Sequence, residues 1–239
     1  MKIDVITIFP EFFNPFLTTS IVKRAIDQKQ VSIGLHQLRD YSFNKHKKID
    51  DTPYGGGVGM LMQFPPFHQA IKALKKDQTH VVLLSPQGKV LTQQKAIELA
   101  QHEHVILLCG HYEGVDARLE TMIDEEISIG DYVLTGGEIP AMTVMDAMIR
   151  LIPSVIHASS VQEDSLHHGW LKHPQYTKPD VYEGLAVPDV LLSGNHQNIE
   201  KWRKIESIRT TLNKRPDLID TIKKTPDEEA ILNQLKHQK

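Results

Sequence analysis

Three short strand-like runs follow one another through the middle of the chain, and each leads into a loop rich in glycine or polar residues. The runs cover residues 81–84, 105–108 and 126–129. The first two are continuously apolar, as is typical of strands that a parallel sheet buries on both faces. Helix-like segments lie between the runs, and this alternation predicts an α/β fold with a mostly parallel sheet.

The same alternation extends to both sides of these runs. Residues 3–9 form an apolar run that ends at Pro10, and residues 31–35 alternate apolar and polar, so two further strands are expected. Apolar spacing and candidate N-caps predict helices over the following segments: 21–28, 66–76, 92–101, a segment ending near 123, 139–152 and 199–212.

The three loops after the central strands are candidates for a ligand pocket. They are residues 85–88 (SPQG), 110–114 (GHYEG) and 130–137 (GDYVLTGG). Because loops that follow parallel strands share one edge of a sheet, we expect them to converge. Tight turns without a ligand are the alternative. None of the loops carries lysine or arginine, so a nucleoside or amino-acid-like ligand fits better than a polyphosphate.

A fourth loop, residues 50–60, contains four glycines in five positions. No Gly-Lys-Ser/Thr follows, so the Walker A spacing is missing, and Met60 stands where a dinucleotide fingerprint needs its third glycine. A nucleoside triphosphate or NAD is therefore not favoured.

Charge is uneven along a chain whose net charge is only −3. Between Lys201 and Lys224, eight basic residues oppose three acidic ones, so this segment carries about +5 while the remainder sums to −8. A helical segment facing nucleic acid accounts for this asymmetry, and a merely solvated surface is the alternative.

The number of cysteines and the length of the apolar runs exclude several classes of protein. Cys109 is the only cysteine, which excludes an internal disulfide framework and a multi-cysteine zinc site and fits a cytoplasmic location. No apolar run approaches the roughly 20 residues that span a bilayer, so no membrane association is expected.

The helical and strand periodicity stops between residues 154 and about 179. This stretch holds four histidines and reads as a linker with either a functional role or disorder. The histidines show no metal-ligand spacing. Residues 160–163 match a capping box, so a helix start is the structural alternative for this part of the linker.

Six separated motifs, taken together and in order, resemble the bacterial tRNA (guanine-N1)-methyltransferase family. The resemblance runs from Ile3 to the C-terminus. The motifs are residues 53–57 (PYGGG), 110–114 (GHYEG), 129–138 (IGDYVLTGGE), 163–165 (EDS), 174–177 (PQYT) and 191–196 (LLSGNH).

The resemblance implies a fold of the SPOUT class. Such a fold has a deep trefoil knot, here near residues 80–150, within the mostly parallel α/β domain, and a small C-terminal helical domain. The implied divisions are a methyltransferase domain over residues 1–156, a flexible linker over 157–179 that carries the catalytic Asp, and a helical tRNA-binding domain over 180–239. The family forms homodimers with the active site between subunits.

The implied activity is transfer of a methyl group from S-adenosyl-L-methionine to N1 of the guanosine 3′ of a tRNA anticodon, which supports reading-frame maintenance. Asp164 matches the general base, Arg150 the arginine that stabilises charge on guanine O6, and Glu113 a carboxylate near the reacting groups. Mg²⁺ is a second candidate cofactor, although no metal motif is evident. The implied methyl-donor contacts are Ser85, Pro86, Gln87, Gly110, Tyr112, Gly114, Ile129, Gly130, Asp131, Tyr132, Val133, Leu134, Gly136 and Pro140.

The sequence departs from the family pattern at His111, Leu166, Trp170 and Lys178, where arginine, phenylalanine, leucine and arginine are common. These departures affect the details of contacts rather than the reaction. Two other functions compete with the implied one: a nucleic-acid-binding protein that holds S-adenosylmethionine as an effector, and a SPOUT enzyme that acts on ribosomal RNA.

Overall fold

The computed structural model describes residues 1–157, 160 and 163–237. The chain forms two compact units, Met1–Ala158 and Ser159–Lys239. No helix in these described ranges has the length and apolar character that crossing a membrane requires.

A five-stranded parallel sheet organises the first unit, which confirms the predicted α/β class. The strands are β1 (Lys2–Thr7), β2 (Ser32–Gln37), β5 (Thr79–Val90), β6 (His104–Cys109) and β7 (Glu125–Ser128). Their order across the sheet is β2-β1-β6-β5-β7, and every neighbouring pair is parallel. Two short strands, β3 (Asp50–Asp51) and β4 (Leu61–Met62), form a separate antiparallel pair.

Helices cover both faces of the sheet. They are α1 (Asn14–Leu17), α2 (Ser20–Asp27), α3 (Phe64–Leu74), α4 (Gln93–Leu99) and α5 (Glu138–Ile149), with 3₁₀ turns at Pro10–Phe13, Leu38–Tyr41 and Ala117–Thr121. Thr92 caps α4 as predicted, because its side chain accepts a hydrogen bond from the Lys95 backbone N–H.

Strand β6 shows why the sheet is buried on both sides. All six of its residues are buried, and they alternate between two cores. Val105 and Leu107 pack with α2 and α5, whereas Ile106 and Leu108 pack with α3. A continuous apolar run therefore contributes side chains to the hydrophobic cores on both faces of the sheet.

Two predicted elements differ from the structure. Residues 85–88 are not a loop beyond the strand: β5 continues through them to Val90, and its register against β7 shifts between Leu84 and Lys89. The helix predicted to end near residue 123 is only the 3₁₀ turn Ala117–Thr121, in which Leu119 is the one buried residue.

A buried carboxylate ties together strands at the amino edge of the sheet. Asp4 of β1 is 1% exposed and accepts hydrogen bonds from His36 Nε2 at 2.9 Å, His104 Nε2 at 2.8 Å and Lys2 Nζ at 2.5 Å. Burial by itself would raise the pKa of Asp4, but these three donors outweigh it and hold the pKa well below the usual range.

This carboxylate should make the fold sensitive to acid. Because the pKa of Asp4 is lower in the folded state, its contribution to stability is complete above about pH 4, the ordinary value for aspartate, and is lost as the pH falls further. We expect Asp4→Asn to lower the free energy of unfolding by about 2 kcal/mol at pH 7. Below pH 4, the stability of this variant should fall less steeply with pH than that of the wild type. Urea unfolding of both proteins between pH 3 and pH 7 measures this. Parallel pH profiles would contradict it.

The second unit has a small helical core of its own. Its elements are the hairpin strands β8 (Val181–Tyr182) and β9 (Leu185–Ala186) and the helices α6 (Asp189–Leu192), α7 (His196–Lys214) and α8 (Pro226–His237), with a 3₁₀ turn at Pro216–Leu218. Trp170 is buried in this core, and its indole N–H donates to Glu228 at 3.0 Å. The tryptophan that departs from the family pattern therefore anchors its own segment to α8.

Candidate functional site

A cavity of about 470 Å³ lies in the first unit, at the carboxyl edge of the parallel sheet. Its walls come mainly from the end of β5 and from the loops that follow β6 and β7, so the predicted convergence is present. The volume is within the range of small-molecule pockets. Of the fourteen predicted methyl-donor contacts, all except Asp131 lie in the wall, as does Glu113.

Local chain geometry brings these loops close together. Beyond β6, the Gly110–Gly114 segment turns back sharply, and Tyr112 adopts a left-handed φ of 58°. Such a backbone is strained for a residue with a side chain, and strain of this kind concentrates at functional sites. The Gly137 N–H donates to the Gly110 carbonyl at 2.9 Å and so fastens the loop after β7 to the loop after β6.

The short strand β4 supports the same wall from the other side. The Met62 N–H donates to the Gly114 carbonyl at 3.0 Å, and the Glu113 N–H donates to the Met60 carbonyl at 3.1 Å. The end of the glycine-rich loop, residues 50–60, is therefore joined to the segment that carries Tyr112 and Glu113.

The described residues that line the cavity give it a negative electrostatic character. They include four carboxylates and one histidine but neither lysine nor arginine: Glu113, Asp116, Glu120, Glu126 and His111. Arg118, outside the wall, pairs with Asp116 at 2.5 Å and lowers the pKa of that carboxyl. A cationic ligand fits this lining better than an anionic one.

Two predicted catalytic residues are not in this wall. Arg150 is the residue that ends α5, at its C-cap. Asp164 belongs to the second unit, where it lines another cavity of about 390 Å³. That second cavity also contains Glu163, Lys172, His173, Arg203 and Lys204, so its lining mixes both signs of charge.

Sequence reasoning missed several functional candidates. The sequence alone indicates no functional role for three carboxylates of the cavity wall, Asp116, Glu120 and Glu126. Thr7 and Glu138 flank the cavity without lining it, yet both bond to one polar network with His111. An acidic residue directly after a glycine pair, at the start of a largely apolar helix, is the one local signal that could have identified Glu138.

The described residues contain no preformed metal site. In the part of the chain that the structure describes, no three His, Cys, Asp or Glu side chains converge as metal ligands. The carboxylates of the cavity therefore do not fit a protein-built Mg²⁺ cage, and we derive no chemical step through a metal ion.

The comparisons with known proteins all match the same protein family. The family model described as tRNA (Guanine-1)-methyltransferase TrmD matches residues 1–221. The chain is 56% identical to a protein named tRNA (guanine-N(1)-)-methyltransferase from Acholeplasma laidlawii, over 99% of this chain and 98% of the relative. Relatives with the same name are 56% identical in Onion yellows phytoplasma, over 100% and 99%, and 50% identical in Staphylococcus haemolyticus, over 100% and 98%.

Proposed function

The chain belongs to the tRNA (guanine-1)-methyltransferase family, and on that premise we propose how its residues carry out the reaction. The protein is a methyltransferase that modifies N1 of the tRNA guanosine directly 3′ of the anticodon, G37, with S-adenosyl-L-methionine as the methyl donor. This modification supports reading-frame maintenance.

We assign the donor to the cavity at the carboxyl edge of the sheet. The observation that carries this assignment is its wall, in which the end of β5 and two glycine-rich loops are combined with four carboxylates and no lysine or arginine among the described lining residues. S-adenosylmethionine supplies an activated methyl group on a positively charged sulfonium. Backbone donors and acceptors suit its nucleoside, and a negative lining suits its charge.

The chemistry needs a base, because guanine N1 carries a proton and is a poor nucleophile at neutral pH. We propose that Asp164 accepts the N1 proton as N1 forms its bond to the methyl carbon. The electron pair of the broken bond to carbon remains on sulfur. Arg150 stabilises the negative charge that develops on guanine O6, and Glu113 orients the reacting groups.

We propose that the backbone path through residues 80–150 is the family's trefoil knot. Two close approaches support it. A methyl group placed on Gly88 would lie 2.4 Å from the Glu126 carbonyl carbon, and one placed on Gly137 would lie 2.6 Å from Cys109 Cα. Only glycine lets backbones pass each other this closely.

We propose that the second unit grips tRNA and that the segment around Asp164 is the linker that brings the base to its target. The basic helix α7 supports this role: Lys201 and Arg203 have no ion-pair partner among the described residues, whereas Lys204 pairs with Asp227. Val161 and Gln162 of the capping box at residues 160–163 lie outside the described residues. The three-part division of the chain stays a prediction.

A homodimer follows from the family and is also proposed here. Tyr132 and Val133 of the cavity wall, and Ile139 next to its Pro140, expose between 45% and 83% of their surface. Such apolar residues next to a site support an active site completed by a second copy. We place the enzyme in the cytoplasm with its tRNA substrate. Mg²⁺ dependence stays a prediction of the family resemblance.

The function is tested by transfer of labelled methyl from S-adenosylmethionine to tRNA transcripts. We expect incorporation into a transcript with guanosine directly 3′ of the anticodon, and N1-methylguanosine on nuclease digestion. A transcript that differs only by adenosine at that position is the matched control. No incorporation, or equal incorporation into both transcripts, would contradict the function.

The same experiment separates the competing functions. A protein that holds S-adenosylmethionine only as an effector would bind the donor without transferring its methyl group. An enzyme for ribosomal RNA would methylate ribosomal RNA in preference to the tRNA transcript.

A further inference from the structure

Three side chains from separate elements form one polar network behind the donor cavity. Thr7 ends β1, His111 follows β6 and Glu138 begins α5. The Thr7 hydroxyl lies 2.6 Å from Glu138 Oε1, and His111 Nε2 lies 2.6 Å from Glu138 Oε2. Thr7 is fully buried and Glu138 is 4% exposed, so neither can exchange these partners for bulk water.

The direction of each hydrogen bond in this network can be assigned. The Phe9 N–H donates to Thr7 Oγ1 at 2.9 Å, so the hydroxyl proton of Thr7 is directed to Glu138. Glu138 is at the first position of α5, where the helix dipole favours a carboxylate. An ionised carboxylate only accepts, so His111 donates through Nε2–H.

Tight packing holds the ring of His111 in this position. A methyl group placed on Gly136 would lie 2.1 Å from His111 Nε2 and 2.7 Å from Glu138 Oε2, so the network fills the space in which a side chain would stand. On another side, the Phe9 ring meets the imidazole edge-to-face with centroids 5.2 Å apart.

This arrangement fixes the chemical character of the ring at the cavity wall. With the proton on Nε2, a neutral imidazole presents Nδ1 as a bare acceptor. His111 lines the donor cavity. Among the described residues Nδ1 has no hydrogen-bond partner, and the His111 side chain keeps 14% of its surface exposed, so Nδ1 can accept a hydrogen bond from a ligand.

We propose that Glu138 is a positioning residue that holds His111 in the Nε2–H tautomer, so that Nδ1 accepts a hydrogen bond from an N–H or O–H group of the bound methyl donor. The inference rests on the proposed function, because it assigns the cavity to S-adenosylmethionine. The donor offers such groups in its amino-acid part and in its nucleoside part.

Glu138→Gln tests this assignment with almost no change in volume. Its carbonyl oxygen would still accept from Thr7, so its NH₂ group would face His111 and donate to Nε2. The imidazole proton would then move to Nδ1. The cavity wall would present an N–H group to the N–H or O–H group of the bound ligand, and no hydrogen bond could form between them. We expect the Kd for S-adenosylhomocysteine to rise about tenfold.

The matched control is Glu125→Gln. Glu125 accepts from His80 Nε2 at 2.7 Å in a similar pair, but at the amino edge of the sheet and outside the cavity wall. We expect this variant to bind S-adenosylhomocysteine as the wild type does. Thermal unfolding of both variants identifies any general loss of structure.

Two ligands locate the group that His111 contacts. Calorimetry with 5′-methylthioadenosine, which lacks the amino-acid part, shows a loss of affinity in Glu138→Gln if the contact is to the nucleoside. It shows no loss if the contact is to the ammonium group. Either result, with weaker S-adenosylhomocysteine binding, supports the proposal. Unchanged S-adenosylhomocysteine binding by folded Glu138→Gln overturns it.

Imidazole ¹⁵N shifts of the wild type give a test that does not depend on the variant folding. The His111 signals, assigned by their loss in His111→Asn, should show the proton on Nε2 and a shift of Nδ1 when S-adenosylhomocysteine is added. A proton on Nδ1 overturns the inference alone. Failure of the wild type to bind S-adenosylhomocysteine overturns the assignment of the cavity, and with it the proposed function.

Discussion

Replacing Asp164 by asparagine is expected to lower kcat for tRNA methylation by about 10²–10⁴-fold, the usual contribution of a general base. Asparagine keeps the size of the side chain but cannot accept the N1 proton of guanine. Because the proposed donor cavity is built from residues of the first unit and Asp164 is not among them, the Kd for S-adenosylhomocysteine should stay within about twofold of the wild type.

Glu163→Gln is the matched control for this variant. Glu163 precedes Asp164 in the chain and lines the same cavity of the second unit, so the substitution removes the same charge from the same region. Single-turnover rates with saturating tRNA and donor, compared across pH 6–9, separate chemistry from binding. Undiminished turnover by Asp164→Asn, or an equal loss in Glu163→Gln, would remove Asp164 from the role of base.

Gly88→Ala is expected to lower the free energy of unfolding by about 3 kcal/mol or more. The added methyl would lie 2.4 Å from the Glu126 carbonyl carbon and 2.5 Å from both the Glu126 oxygen and the Ile127 nitrogen. All three atoms are backbone of β7, so no side-chain rotation can relieve the overlap. Strands β5 and β7 would have to separate at the register shift.

Gly110→Ala provides the comparison. There the nearest atoms to an added methyl are Val115 Cγ1 at 3.4 Å and the Leu84 carbonyl oxygen at 3.9 Å, which are ordinary contacts. We expect a cost below about 1 kcal/mol. Urea unfolding monitored by circular dichroism measures both variants. Equal stability of Gly88→Ala and Gly110→Ala would show that the approach of β5 to β7 is not sterically restricted.

Much of the fold is predictable because the apolar pattern and the burial agree. Residues 105–108 are all apolar and lie in a strand whose two faces are both covered, so their apolar composition correctly predicts their burial. The segment that ends near residue 123 misled the prediction. Its apolar residues suggested a helix, but the Asp116 side chain accepts from the Arg118 N–H and fixes a tight turn at the start of the segment. Periodicity over so few residues does not separate a 3₁₀ turn from an α-helix.

The donor cavity could be anticipated for a topological reason. Loops after parallel strands share an edge, and this rule needs only the order of elements. The pairing of His111 with Glu138 could not be anticipated, because the two residues are 27 positions apart and meet only through the return of the chain to β6. Asp164 and Arg150 owe their proposed roles to the family resemblance, since neither residue carries a local physical signal of catalysis.

The interior position of β1, between β2 and β6, has a consequence for how the chain acquires its structure during synthesis. Ile3, Val5 and Ile6 are fully buried, yet β1 pairs with β6, whose first residue is His104. A ribosome must therefore deliver about 100 further residues before the first strand finds its second neighbour, and pairings this distant in sequence form slowly. Until then, one edge of an apolar strand stays open to other chains, so we expect nascent chains that stop before β6 to be prone to aggregation.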